Sequence, residues 1–156
     1  GFTFASISAG DTHTCALTTA GGAKCWGENY YGELGDNATT ASDRYPPVNV
    51  VGLGSGVAAI DANGRFTCAL TTAGGVKCWG VNYAGQLGHP DTSVIQTPVP
   101  TLVAGVSGAT AISTGGAHTC ALLQDRTVRC WGLNAYGQLG NDTATDSYVP
   151  VQVTTA

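Results

Sequence analysis

The chain carries the sequence HTCALLQDRTVRCWG at residues 118–132. Nearly the same sequence occurs at residues 13–27 and 66–80, at a period of 52 or 53 residues. The block Trp-Gly-x-Asn-x-x-Gly-x-Leu-Gly, which begins inside each stretch, recurs at the same period. Self-similarity at a fixed period of this length is typical of arrays of identical structural units. The chain is therefore three copies of one unit of about 50 residues.

Each unit contains four short segments with the composition of β-strands. In the second unit we predict strands at residues 58–62, 67–71, 76–80 and 98–102, with a tight turn at Gly74-Gly75 between the middle two. The equivalent first and closing strands of the other units are predicted at residues 5–9, 110–114, 47–50 and 150–153. Prolines in the closing strands indicate an edge position or a strand start, because proline cannot donate to a ladder.

The central hairpin is apolar on both of its faces. Cys68 and Leu70 share one face, whereas Ala69 and Trp79 share the other. A sheet that is covered by neighbouring sheets on both sides requires this pattern. We therefore predict an all-β fold of β-propeller blades, a single repeat domain over residues 1–156. Its three four-stranded antiparallel repeats are predicted as blade 1 (1–53), blade 2 (54–106) and blade 3 (107–156).

The third unit reads Gly-Ala-His-Thr-Cys-Ala-Leu over residues 116–122 and Trp-Gly-Leu-Asn-Ala-Tyr-Gly-Gln-Leu-Gly over residues 131–140. These blocks resemble the repeat of the regulator of chromosome condensation family, and the match covers essentially the whole chain. The resemblance implies a β-propeller, commonly of seven blades. It implies a binding function, since the family includes a nuclear exchange factor, ubiquitin-ligase modules and a secreted bacterial β-lactamase inhibitor. Cysteine usage favours the secreted, disulfide-containing bacterial type.

The six cysteines form three pairs, each with nine residues between its members. The hairpin register places the members of a pair opposite each other, within reach of a disulfide. Zinc knuckles, with closer cysteine spacing, and a single catalytic cysteine are the weaker alternatives. We expect disulfides, and hence an extracellular, periplasmic or cell-surface location. The predicted pairs are Cys15–Cys25, Cys68–Cys78 and Cys120–Cys130.

The composition of the chain argues against several classes of function. Only 10% of the residues are charged, and the 6 basic residues form no cluster, which argues against nucleic acid as a partner. No run of about 20 apolar residues is present, so we expect no membrane insertion.

Phe66 stands where the other units have His13 and His118, which argues against a repeated metal or general-base site. No cofactor, metal or enzymatic activity is predicted.

Differences between the units concentrate in two loops per unit, where a rigid scaffold commonly carries recognition. Tyrosine is abundant there, as it is in protein-binding surfaces. The alternative is that these tyrosines line the rim between blades. The residues of the predicted contact surface are Tyr30, Tyr31, Glu33, Arg44, Tyr45, Tyr83, Tyr136 and Tyr148. Two Asn-x-Thr sequons mark Asn37 and Asn141 as possible glycosylation sites.

Two functions fit these observations. The first is an extracellular, non-catalytic β-propeller module that binds a protein partner. The second is a structural repeat protein that self-assembles into an oligomeric ring, a surface layer or a filament. Three blades are too few to close a ring, so we expect either a homo-oligomer or a fragment of a longer propeller. The absence of an initiator Met and a signal peptide suggests a processed chain or an excised segment.

Overall fold

A computed structural model of the chain describes residues 1–38, 40 and 42–154, and these residues form twelve β-strands in three sheets. Blade 1 contains β1 (Phe4–Ala9), β2 (His13–Thr18), β3 (Ala23–Gly27) and β4 (Arg44–Asn49). Blade 2 contains β5 (Val57–Asn63), β6 (Phe66–Thr71), β7 (Val76–Val81) and β8 (Gln96–Leu102). Blade 3 contains β9 (Ala109–Thr114), β10 (His118–Leu123), β11 (Val128–Gly132) and β12 (Ser147–Gln152). Over the same residues, no helix has the length and hydropathy to cross a bilayer.

Each sheet is a four-stranded antiparallel meander in chain order, which confirms the predicted blades. The closing strands β4, β8 and β12 lie at the outer edge, as their prolines predicted. They begin before those prolines, because earlier residues pair with a glycine at or next to the end of the preceding strand. These pairs are Gly27 with Arg44, Gly80 with Thr97 and Gly132 with Ser147.

The predicted disulfides are confirmed, since all six cysteines pair and none is free. In each hairpin the two cysteines occupy directly opposite positions of the ladder, with Cα atoms 4.1 Å apart. Each bridge therefore joins the second and third strands of one blade. By the chain-entropy argument, a loop of this size contributes about 2–3 kcal/mol to the free energy of unfolding.

The apolar core lies between the sheets. One cluster joins Cys15 and Leu17 of blade 1 to Ala69 and Trp79 of blade 2. A second cluster joins Cys68 and Leu70 of blade 2 to Ala121 and Trp131 of blade 3. Blade 2 is thus covered on both faces, which confirms the pattern expected from its hairpin.

A tryptophan indole joins blade 2 to blade 1, and a second one joins blade 3 to blade 2. The Nε1 of Trp79 donates to the backbone oxygen of Glu33 at 2.7 Å. Its equivalent Trp131 donates to the backbone oxygen of Gln86 at 2.9 Å. Both indoles are fully buried, so these bonds are shielded from competition with water. The blades are consequently held in one register by directional bonds as well as by apolar packing.

The first strands of the three blades, β1, β5 and β9, contact one another in sequence. Asp61 of β5 joins all three. Its Oδ1 accepts from the Ser8 hydroxyl at 3.0 Å, and its Oδ2 accepts from the Thr114 backbone N–H at 2.7 Å. Hydrogen bonds to a charged group are the stronger ones, so Asp61 ties the inner strands together.

Candidate protein-binding surface

The predicted tyrosines lie on loops that a buried asparagine holds in shape. The Oδ1 of Asn29 accepts from the Leu34 backbone N–H at 3.1 Å, and Asn82 and Asn134 make the equivalent bonds in their blades. All three asparagines are almost completely buried. A buried amide that bonds across five residues folds the loop back on itself. The side chains just after the asparagine therefore project outward.

The loops of blades 1 and 2 lie against the outer strand of the following blade. At Gly32, which has a φ of 81°, a Cβ atom would lie 2.5 Å from the Cα of Pro98. At Gly85 the corresponding distance to the Cα of Tyr148 is 2.8 Å. Only glycine combines this backbone conformation with so close an approach. The tyrosines of one blade are thus placed beside the next blade.

Three of the predicted residues form an aromatic cluster at the junction of blades 1 and 2. The ring centroids of Tyr30 and Tyr31 are 4.8 Å apart, and those of Tyr31 and Tyr83 are 6.0 Å apart, both in edge-on geometry. Tyr30 is 59% exposed and Tyr83 is 56% exposed. Tyr148 extends the cluster, because its hydroxyl donates to the backbone oxygen of Tyr83 at 2.8 Å. Desolvation, with Tyr31 alongside, raises the pKa of Tyr83.

Sequence reasoning missed two charged members of this surface. The guanidinium carbon of Arg65 lies 5.2 Å from the centroid of Tyr31, a cation–π arrangement. Arg65 also lies 3.8 Å from the carboxylate of Glu28, which accepts from the Thr12 hydroxyl. Neither charge recurs at the equivalent position of another unit, and that difference was the available signal. We call Tyr30, Tyr31, Tyr83, Tyr148, Arg65 and Glu28 the tyrosine surface.

Glu33 lies inside the protein and not on this surface. Its side chain is fully buried, one carboxylate oxygen accepts from the Tyr31 backbone N–H at 2.8 Å, and the other has no hydrogen-bond partner. Burial raises the pKa of this carboxyl group. Glu33 supports the tyrosine loop from inside the protein. The prediction that Glu33 belongs to the contact surface is therefore wrong.

The remaining residues of the predicted contact surface lie apart from the cluster. Arg44 forms an ion pair with Asp36 at 3.1 Å, and Asp36 is held by the side-chain amide of Asn29. Tyr45 and Tyr136 are 89% and 92% exposed, and in the part of the chain that the structure describes neither ring joins an aromatic or cation–π pair. The structure therefore brings together four of the eight predicted residues.

The two sequon asparagines differ in their surroundings. Asn37 is exposed and has a φ of 60°, whereas Thr39 of the same sequon lies outside the described residues. Asn141 is half-buried, and its side-chain oxygen accepts from the Asn134 amide at 3.1 Å and from the Thr143 hydroxyl at 2.9 Å. Of the two, Asn37 is the more accessible side chain.

Histidine and carboxylate groups show no arrangement for metal binding over residues 1–38, 40 and 42–154, where no group of three potential ligands converges. His13 is 2% exposed, and its Nε2 lies 2.8 Å from the Thr67 hydroxyl across the junction of blades 1 and 2. Burial lowers the pKa of His13 to about 4, against which Asp11 and Glu28 act weakly. His13 is therefore neutral at physiological pH and serves as an inter-blade contact.

Comparison with known proteins supplies a family. The profile of the Regulator of chromosome condensation (RCC1) repeat matches residues 4–33, 57–86 and 109–138, and a second profile of the same repeat matches residues 73–122 and 127–156. The ultraviolet-B receptor UVR8 of Arabidopsis thaliana is 35% identical over 94% of this chain. The chain spans 33% of the length of UVR8.

Two solved structures share the architecture. Prp20p from Saccharomyces cerevisiae matches with a TM-score of 0.85 and 21% identity, over 97% of this chain and 38% of Prp20p. The ectodomain of the receptor kinase CR4 from Physcomitrella patens matches with a TM-score of 0.51 and 25% identity, over 89% of this chain and 33% of the ectodomain. Together with the repeat blocks, these matches show that the chain belongs to the regulator of chromosome condensation repeat family, as a partial β-propeller of three blades.

Proposed function

We propose that the chain is a non-catalytic protein-binding module that acts outside the cytoplasm, and that its tyrosine surface contacts the partner. One observation carries the proposal: three tyrosine rings and an arginine converge at the junction of two blades. Tyrosine and arginine dominate the energetics of protein interfaces, because they bury much apolar area and still offer polar groups. Here the cluster stands on loops that buried asparagines and close backbone contacts hold rigid, which lowers the entropy cost of binding.

The relatives support a binding role. RCC1-type repeats are protein-interaction modules, and the structure of Prp20p was reported with its binding to Gsp1p and histones. At 21% identity the likeness to Prp20p is one of fold. What we carry over is therefore the mode of action, a rigid blade surface that presents loops to another protein, and not the target.

The extracellular, periplasmic or cell-surface location is proposed on the disulfides. All six cysteines are paired, and reducing compartments do not maintain such bridges. The similarity to a receptor-kinase ectodomain supports the same setting. Alkylation of the protein in intact cells, before lysis, tests this directly. We expect no free thiol, and a count of six free thiols in the native protein would contradict the proposed location.

The tyrosine surface is tested by binding measurements with matched variants. A partner captured from the secreted proteins of the source organism would be titrated against the wild type and against Tyr30→Ala, Tyr83→Ala and Arg65→Ala. Each substitution is expected to weaken binding by about 30-fold or more, as at an interface hot spot. Tyr45→Ala removes an equally large exposed ring elsewhere and should leave affinity unchanged. Equal affinities across the set would refute the assignment of the surface.

A further inference from the structure

The turn between β5 and β6 contains the single Asn-Gly pair of the chain, Asn63-Gly64. Each of the other six asparagines precedes a residue that has a Cβ atom. Glycine leaves its backbone nitrogen unshielded, and Gly64 has a φ of 49°, in the region that favours glycine. An asparagine amide therefore stands next to the least hindered peptide nitrogen that could follow it.

A hydrogen bond holds these two groups together. The Gly64 N–H donates to the Oδ1 atom of Asn63 at 2.8 Å, and within the described residues it has no other acceptor. The equivalent N–H in blade 1, that of Asp11, instead donates to the Gly64 backbone oxygen at 2.8 Å. Because Cγ of Asn63 is bonded to Oδ1, the Gly64 nitrogen lies beside the carbon that it would attack. Reacting groups that are held in contact react faster than free ones.

The amide nitrogen of Asn63 joins blade 2 to blade 3. Its Nδ2 atom donates to the Thr114 backbone oxygen at 2.9 Å. Asp61 holds the same threonine, because its Oδ2 atom accepts from the Thr114 backbone N–H at 2.7 Å and from the Thr114 hydroxyl at 3.1 Å. The ends of β5 and β9 are therefore tied by three hydrogen bonds, one of which depends on the Asn63 amide.

Solvent reaches the Asn63 side chain, which is half-buried. The asparagines that hold the loops of the three blades in shape are almost completely buried, namely Asn29, Asn82 and Asn134. Gly64 is buried, so the removal of its proton should be slower in the folded chain than in the unfolded chain. Of the asparagines that water reaches, Asn63 alone is followed by glycine.

We infer that Asn63 is a site of spontaneous deamidation, in which its side chain closes onto the backbone of Gly64 and loses ammonia. The Gly64 nitrogen gives its proton to water and forms a bond to Cγ of Asn63. The Cγ–Nδ2 bond breaks, and ammonia leaves with a proton from solvent, so that a cyclic imide remains. Water then opens the imide at one of its two carbonyl carbons, which gives aspartate or isoaspartate. Nothing is oxidised or reduced, and water is the only co-reactant.

Each product changes the contacts of the turn. In aspartate, a carboxylate oxygen replaces the donor that faced the Thr114 backbone oxygen, and two acceptors repel each other. In isoaspartate, the main chain gains a methylene group in the tight turn that pairs Asn63 with Phe66. The added length would displace Arg65, in the same turn, from the Tyr31 ring. Deamidation would therefore loosen the junction of blades 2 and 3 and alter the tyrosine surface, although the reaction itself does not depend on the proposed binding function.

Ageing of the folded, unreduced full chain in mildly alkaline buffer, followed by peptide mapping with mass spectrometry, tests the inference. Asn63 should be converted about tenfold or more faster than Asn37 and Asn141, which solvent also reaches but which lack a following glycine. The rate should rise with pH, because the Gly64 nitrogen attacks only after it loses its proton. In water labelled with heavy oxygen, each product should carry one labelled oxygen atom. Retention of the Asn63 amide in the folded chain, or conversion of the three asparagines at one rate, would overturn the inference.

The variant Asn63→Gly copies Gly10 and Gly115 of the other blades and is the matched control. On ageing, the wild type should yield a second fraction in ion exchange, because each deamidation adds a negative charge, and this fraction should unfold at a lower urea concentration. Asn63→Gly should yield neither that fraction nor a change in its urea midpoint. Asn63→Asp gives the aspartate product directly and should share the lowered midpoint. A deamidated fraction and an Asn63→Asp variant that are as stable as the unaged chain would overturn the inferred loosening of the contact with Thr114.

Discussion

The junction of blades 1 and 2 and the junction of blades 2 and 3 share an apolar frame and differ in the polar groups that they enclose. The first junction contains His13 and Glu33, and the second has Phe66 and Gln86 at the same positions. His13 and Glu33 are 2% and 0% exposed, and each has one buried side-chain atom without a hydrogen-bond partner. We therefore expect the first junction to respond to pH, whereas these two positions of the second junction carry no titratable group.

The residue three positions before His13 or Phe66 also differs between the two junctions. Gly10 leaves room for the His13 ring, since a Cβ at Gly10 would lie 2.4 Å from its Cε1 atom. Blade 2 has Phe66 in place of the histidine and Asn63 in place of the glycine, and the Asn63 amide donates to the Thr114 backbone oxygen at 2.9 Å. The histidine ring and a Cβ atom at the earlier position would occupy the same space, so glycine accompanies the histidine. The comparison shows how one fold can hold a polar or an apolar junction.

Removal of the inter-blade tryptophans should have the largest effect on stability. Trp79→Ala or Trp131→Ala leaves a large cavity and removes a buried inter-blade hydrogen bond, and should lower the free energy of unfolding by about 3–5 kcal/mol. Urea denaturation of the monomer measures this. Trp26→Ala, at the half-buried equivalent position, is the control and should cost clearly less. Equal losses at the three positions would contradict the role assigned to the junctions.

Acid should weaken the first junction selectively. The pKa of His13 is about 4 in the folded chain and 6.5 in the unfolded chain, so the unfolded state binds a proton first as the pH falls. The contribution of neutral His13 to the free energy of unfolding is complete above pH 6.5. This contribution, about 3 kcal/mol, is lost as the pH falls from 6.5 to 4. His13→Phe, which copies Phe66, should remove this part of the pH dependence. Parallel stability curves for the two proteins would contradict the prediction.

The disulfides should differ in their access to reductant. The two junctions bury Cys15 and Cys68 completely, whereas the equivalent Cys120 of blade 3 is half-buried. At low protein concentration, limiting reductant should open Cys120–Cys130 first, with a loss of about 2–3 kcal/mol of stability. Alkylation followed by peptide mapping identifies the opened pair. Reduction of the three pairs at one rate would show that the junctions give no protection.

The smallest effect on stability is expected when Glu33 of the first junction is replaced by Gln, the residue type that the second junction has at Gln86. Glu33→Gln keeps an acceptor for the Tyr31 N–H and removes a buried carboxylate with an unpartnered oxygen. Burial raises the pKa of Glu33 above 4.5, so stability is lost as the pH rises through that folded-state pKa. Glu33→Gln should therefore stabilise the chain at pH 7 by roughly 0.5–2 kcal/mol and have little effect below pH 4.5. The reciprocal change Gln86→Glu should destabilise it, and the opposite pair of signs would refute this account.

The architecture was predictable because it depends on local patterns. Alternation within the hairpin set the two buried faces, and the cysteine spacing set the ladder, so that Cys68 and Cys78 lie opposite each other as expected. The strand ends were less predictable. The closing strands begin at Arg44, Gln96 and Ser147, since pairing with a neighbouring strand extends them beyond the segment that composition identifies.

The tyrosine surface was predictable only in part. Tyr30, Tyr31 and Tyr83 lie in variable loops of a rigid scaffold, which is a signal that sequence carries. Glu33 was misplaced, because a charged residue in a loop is normally solvated and only the fold shows that blade 2 covers it. Arg65 was missed because its contact with Tyr31 crosses from one blade to the next, and no spacing within a unit encodes that distance.

The disulfide-bridged hairpins also limit how far the chain can be stretched. Each bridge joins residues ten positions apart and holds their Cα atoms at 4.1 Å. Without the bridge, a segment of that length could extend to about 35 Å. Each bridge therefore shortens the fully extended chain by about 30 Å. Under tension the outer strands can peel away while the three sulfur-bridged loops stay closed. The oxidised chain is thus a shorter tether than the reduced one by about 90 Å.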